Sequence, residues 1–184
     1  KLEQAISIYR KVLAFKPEYA EAHNNLGNAL LDLGKPEKAT QSFQKALSLN
    51  PEYTEALNNL GAALCDLDRA HEATVCYRKA LDLKPEYAEA HNNLGSALRD
   101  LNKMKEAEVS YRRALKLKPE LAETHSNLGN ILRNRGKINE SIKSYRKALK
   151  LKPRFAEAHH GLGTVLKEAG RWEEAIGGYQ KALD

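Results

Sequence analysis

Cysteine is scarce in this chain of 184 residues: only Cys65 and Cys76 occur, 11 positions apart. Two such residues form neither a CxxC pair nor a disulfide framework, which fits a reducing compartment and half-buried packing roles. No run of 18 apolar residues occurs and no cleavable leader is visible, so the sequence reads as that of a soluble, cytoplasmic protein with no membrane partner. HExxH is missing, and no cluster of glycines stands between a strand and a helix, which excludes a zinc-protease helix and a phosphate-cradling loop. Proline is also sparse, with six residues in all. Their placement is the most informative feature of the sequence.

Pro17, Pro51, Pro85, Pro119 and Pro153 are spaced 34 residues apart. With Ala20 as position 1, ungapped units run 20–53, 54–87, 88–121, 122–155 and 156–184, and residues 1–19 supply the second half of an earlier unit. Position 7 is Leu26, Leu60, Leu94, Leu128 and Leu162; position 8 is Gly27, Gly61, Gly95, Gly129 and Gly163. Position 24 is always aromatic: Tyr9, Phe43, Tyr77, Tyr111, Tyr145 and Tyr179. Two stripes of helical period per unit predict a helix A, a turn and a helix B, each hairpin burying its apolar face on its neighbours. Gly34, Asp68, Asn102, Gly136 and Gly170 fall at the turn, where a left-handed backbone is needed, and the proline at position 32 stops helix B. Pro36 falls in the first turn of a B helix, where proline is compatible with helix.

This pattern resembles the tetratricopeptide repeat over the whole chain. The resemblance implies an all-α, right-handed superhelical solenoid of antiparallel helix pairs, about five and a half repeats long, with the A helices on its concave face. The phrases at 20–30 and 88–98, AEAHNNLGNAL and AEAHNNLGSAL, are similar to repeats of O-linked N-acetylglucosamine transferases and of bacterial tetratricopeptide proteins. Lys1 falls at position 16 and Asp184 at position 29, so a segment of a longer array is expected, with end-to-end self-association through uncapped terminal helices.

Candidate chemistry dissolves into the repeat. His23, His91, His125 and His159 share position 4, but equivalent residues of stacked units lie roughly 10 Å apart, too far to share a metal. Glu21, Glu55, Glu89, Glu123 and Glu157 share position 2, where a carboxylate favours the helix dipole. Neither a catalytic centre nor a cofactor is expected. Glycine inside a helix costs about 1 kcal/mol relative to alanine, so five of them at position 8 imply close approach of helix B, with the ring at position 24 beside the bare backbone.

A surface is therefore the place for function. Asn24, Asn58 and Asn92 stand at position 5, Asn25, Asn59, Asn93 and Asn127 at position 6, and Asn28 and Asn130 at position 9. Such amides either tie neighbouring A helices together or grip the C=O and N–H of an extended polypeptide while ignoring its side chains. The second reading makes these nine residues a peptide-binding ladder, and the resemblance to the transferases implies the same use. Position 12 changes from Leu31 and Cys65 to Arg99, Arg133 and Lys167, which predicts a groove apolar at one end and basic at the other. The unit 122–155 carries a net +7, mostly on helix B; lacking interleaved aromatics, it reads as a solvated face and not as a nucleic-acid site. Glutamate at position 2 argues against clamping of an acidic chaperone tail. A scaffold that binds extended protein segments is expected; the alternative is a substrate-recruiting arm of a larger enzyme such as an O-GlcNAc-transferase-like glycosyltransferase.

Overall fold

The computed structural model describes residues 1–183; Asp184, with which the last unit ends, lies outside the described residues. Two compact bodies are formed, Lys1–Leu101 and Asn102–Asp184. The first holds α1 (Leu2–Phe15), α2 (Ala20–Asp32), α3 (Pro36–Leu49), α4 (Thr54–Asp66), α5 (Ala70–Leu83) and α6 (Ala88–Asp100). The second holds α7 (Met104–Leu117), α8 (Ala122–Asn134), α9 (Ile138–Leu151), α10 (Ala156–Glu168) and α11 (Trp172–Leu183). The described residues form an all-α stack of helical hairpins, and none of these helices is long and apolar enough to cross a membrane.

Local chemistry sets the helix ends. Gly34, Asp68, Asn102, Gly136 and Gly170 all adopt positive φ, between 56° and 74°. After α2, Gly34 N–H donates to Leu31 O and Lys35 N–H to Leu30 O, both at 2.9 Å, and the same pair of bonds recurs after α4, α8 and α10. This closure satisfies carbonyls that the last turn leaves unpaired. At the other end, none of α1–α10 has a side-chain cap. An acidic residue in the first turn supplies the favourable charge instead, as Glu55 does in α4.

Packing explains the helical glycines. A Cβ at Gly27 would lie 2.5 Å from Phe43 Cε1, and one at Gly61 2.6 Å from Tyr77 Cε1. Phe43, Tyr77, Tyr111 and Tyr145 are essentially solvent-free, so each ring occupies the volume that a side chain would need. Ser141, where the other units have alanine, is also buried and donates its hydroxyl to Gly129 O at 2.7 Å. Within the first body α2 touches α4 and α4 touches α6, and within the second α8 touches α10. The B helices of a body make no such direct approach, among the described residues, and leave grooves between them.

Candidate functional site

Contact between successive A helices brings the asparagines together in the first body. Asn59 Nδ2 donates to Asn24 Oδ1, and Asn93 Nδ2 to Asn58 Oδ1, each at 3.1 Å. Within a helix, Asn58 Nδ2 points to Asn59 Oδ1 at 3.5 Å and Asn92 Nδ2 to Asn93 Oδ1 at 3.1 Å. Asn24 and Asn58 are only 4% and 1% exposed. This corrects the expected place of these two on the open face: Asn24 and Asn58 are interior, and the side-chain carbonyl of each receives the next repeat's position 6. Asn25 is exposed, whereas Asn28, Asn59, Asn92 and Asn93 are half-buried. Each tie uses one N–H and one lone pair, so Asn59 and Asn93 retain further hydrogen-bonding capacity toward solvent.

The second body departs from this pattern. Asn127 is half-buried on α8, next to Ser126, which is buried. Asn130 Oδ1 accepts the Tyr145 hydroxyl at 2.6 Å. A Cβ at Gly161, the position 6 residue of α10, would lie 2.5 Å from Tyr145 Cε1, and one at Gly129 2.9 Å from the same atom. Tyr145 is thus lodged between two glycine backbones. Burial pushes its phenol up to about 12.

The cation row at position 12 is less free than its sequence pattern suggests. Arg99 donates to Asp100 Oδ1 at 2.9 and 3.0 Å, and Arg133 lies 3.9 Å from Glu168. Lys167 is exposed. At position 2, Glu55 lies 4.0 Å from Lys84, and Glu123 accepts from Lys152 at 2.9 Å. These exposed pairs contribute about 0–1 kcal/mol each and mute both rows. Cys65, in the same row, is half-buried, 3.9 Å from the Tyr77 hydroxyl; burial pushes its thiol up.

Histidine at position 4 has a packing role. His23, His91, His125 and His159 each place Nε2 at 2.8–3.0 Å from the carbonyl of the proline six residues earlier, so Nε2–H donates and fastens helix A to the preceding loop. Among the described residues no three His, Cys, Asp or Glu side chains converge as metal ligands.

One cluster escaped sequence reasoning. Glu108 on α7 is 5% exposed, where the other B helices carry Ile6, Thr40, Thr74, Ile142 or Ile176. Its carboxylate accepts from Arg112 Nε at 3.0 Å, from Lys137 Nζ at 3.0 Å and from Arg135 Nη1. Arg112 also reaches Glu140 at 2.5 Å. Burial pushes the Glu108 carboxyl up, but Lys137 and Arg112 outweigh it and hold the group below its usual range. The available signal was a lone glutamate on the apolar stripe of helix B.

Comparisons with known proteins follow the same lines. The family model described as "TPR repeat" matches residues 1–34, 63–101 and 129–170. Models described as "Tetratricopeptide repeat" match 20–53 and 88–121, 42–74, and 158–184. No curated protein matches in sequence. Among solved structures, MamA is similar at 27% identity, covering 86% of this chain and 92% of its own, with a TM-score of 0.78. YrrB, described as a TPR protein with an unusual peptide-binding site, has 25% identity, coverage of 96% and 91%, and a TM-score of 0.77. PilF of Pseudomonas aeruginosa, at 22% identity, shares the fold with a TM-score of 0.86 and coverage of 96% and 81%.

Proposed function

Because the chain belongs to the tetratricopeptide repeat family, we propose that it is a protein-interaction scaffold and not an enzyme, holding partners by extended segments laid along its A helices. The observation that carries this reading is the repeated position 6 amide. Asn25, Asn59 and Asn93 recur at one register on adjacent A helices of the first body, and the ties to position 5 leave part of their capacity unused. Asn127 occupies the same register in the second body. Such groups pair with a peptide's backbone and tolerate varied side chains. Asn24 and Asn58 act through their neighbours, fixing the spacing of α2, α4 and α6. Lys167, exposed and outside the described ion pairs, adds preference for a carboxylate on the ligand. The peptide-binding site of YrrB, a protein of the same fold, gives this reading outside support.

Replacing Asn25, Asn59, Asn93 and Asn127 with alanine should weaken binding of extended peptides of varied sequence to a similar degree. Asn59 and Asn93 also tie helices, so the double variant Asn25→Ala/Asn127→Ala, which spares those bonds, separates ligand contact from stability. A fluorescence anisotropy titration reads both. Undiminished affinity in the quadruple variant, with its circular dichroism unchanged, rejects the ladder.

A further inference from the structure

The two bodies differ sharply in charge. Residues 102–184 carry 18 Lys and Arg against 10 Asp and Glu, whereas residues 1–101 carry 12 against 14. Much of the excess lines a recess on the B-helix side of the second body. Between α7 and α9 lies a groove of about 400 Å3, with Arg112 and Lys116 on one wall, Lys143 and Lys147 on the other, and His125 and Leu128 on its floor. Among the described residues no carboxylate lines it. Arg112 is engaged by Glu108 and Glu140, while Lys116, Lys143 and Lys147 have no carboxylate partner among the described residues.

The fold does not require these cations. Between α3 and α5 of the first body the same four positions are Gln44, Ser48, Val75 and Lys79, one cation in place of four. Facing rows of like charge repel each other, and that repulsion is relieved when an anion lies between them. The next groove, between α9 and α11, repeats the arrangement at about 1150 Å3, with Arg146, Lys150 and Lys181 on its walls and Leu162 and Leu166 below. Glu174, paired with Arg146 at 3.1 Å, is the only carboxylate lining it among the described residues.

We propose that the B-helix side of residues 102–184 is a second docking surface, which takes an acidic polypeptide segment with an apolar side chain seated over Leu128 and carboxylates reaching Lys116, Lys143 and Lys147. Charge complementarity selects the acid, and the leucine floor selects the apolar anchor. No Phe, Tyr or Trp lines either groove, so nucleic-acid bases find no ring to stack on. A polypeptide, with alternating side chains on a narrow backbone, matches a recess with charged walls and an apolar floor.

The test uses a fluorescein-labelled peptide of repeated Glu-Leu-Glu and its Gln-Leu-Gln counterpart. The protein should bind the first at least about tenfold more tightly than the second, and that ratio should shrink as salt rises. Lys116→Glu/Lys143→Glu/Lys147→Glu should lower the affinity for the first by roughly tenfold or more, and the corresponding glutamine triple by less. Lys38→Glu/Lys45→Glu/Lys79→Glu, which changes net charge equally but in the first body, should lower it by no more than about twofold. Asn25→Ala/Asn127→Ala should lower binding of the two peptides by the same factor and leave their ratio unchanged, whereas the lysine triple lowers the ratio itself, so this surface and the A-helix face fail or stand separately. Equal losses from the two lysine triples, no binding of the acidic peptide, or tighter binding of oligothymidylate or phosphatidylserine vesicles through the same lysines overturns the proposal.

Discussion

Gly61→Ala tests how the hairpins are held together. A methyl at Gly61 falls 2.6 Å from Tyr77 Cε1 and 2.7 Å from Cζ, whereas ordinary contact begins near 3.4 Å. The ring must therefore yield by about 0.8 Å, the difference between those two distances. Tyr77 is 2% exposed and flanked by the solvent-free Ala73 and Ala80, so it has no empty volume to enter. Forcing α4 and α5 apart costs about 1–3 kcal/mol, and an overlap this deep belongs at the upper end. Alanine returns about 1 kcal/mol of helix propensity, leaving a net loss of about 1–2 kcal/mol. Gly177 is the control, because it lies inside α11 and, its chain neighbours and own helix backbone aside, no heavy atom comes within 4 Å of its Cβ position. Gly177→Ala should gain up to about 1 kcal/mol. Urea unfolding followed by far-UV circular dichroism gives the two signs, and amide exchange localises the effect to α4 and α5, since repeat arrays need not unfold in one step. Stabilisation by Gly61→Ala matching that of Gly177→Ala would refute the argument that the ring excludes a side chain.

Glu108→Gln leaves Arg112, Arg135 and Lys137 without their shared anion. Those cations are a quarter to half exposed and can turn to water, which reduces the expected loss for a broken buried pair to about 1–3 kcal/mol. The Glu108 carboxyl is held below its usual range, so its contribution is full above the ordinary value of about 4.3 and disappears as pH falls through the lower folded value. The gap in urea midpoint between wild type and variant should accordingly close on acidification, and a gap independent of pH contradicts the cluster's role. His23→Leu removes the bond to Pro17 O, but Leu57 fills the same position and is 6% exposed, so urea unfolding should move by no more than about 1 kcal/mol. A loss of about 3 kcal/mol or more would assign the imidazole a larger role than fastening a loop.

Local rules made the architecture legible. The 34-residue spacing of Pro17 through Pro153 stops the B helices, and the residue types at 34, 68, 102, 136 and 170 accept the positive φ that ends the A helices. Both effects act within a few residues and need no knowledge of neighbours. The glycine at position 8 and the ring at position 24 were also readable as partners, because their pairing is internal to one hairpin. Contacts between hairpins followed a different logic. Adjacent asparagines at positions 5 and 6 look alike in sequence, yet helix stacking buries Asn24 and Asn58 and turns position 6 into their donor. The adjacency of Arg99 and Asp100 made their pairing possible from sequence, but rotamers decide it, and Arg133 meets Glu168 on the next A helix. Glu108 takes Arg112 from its own helix but draws Arg135 and Lys137 from 27 and 29 residues away, in the turn between α8 and α9. The sequence by itself thus determined where each helix starts, stops and turns its apolar stripe, since backbone sterics and hydrophobic period are local. Which polar groups face solvent and which satisfy one another was decided only by the tertiary structure, because it depends on the lateral register of helices a full repeat apart.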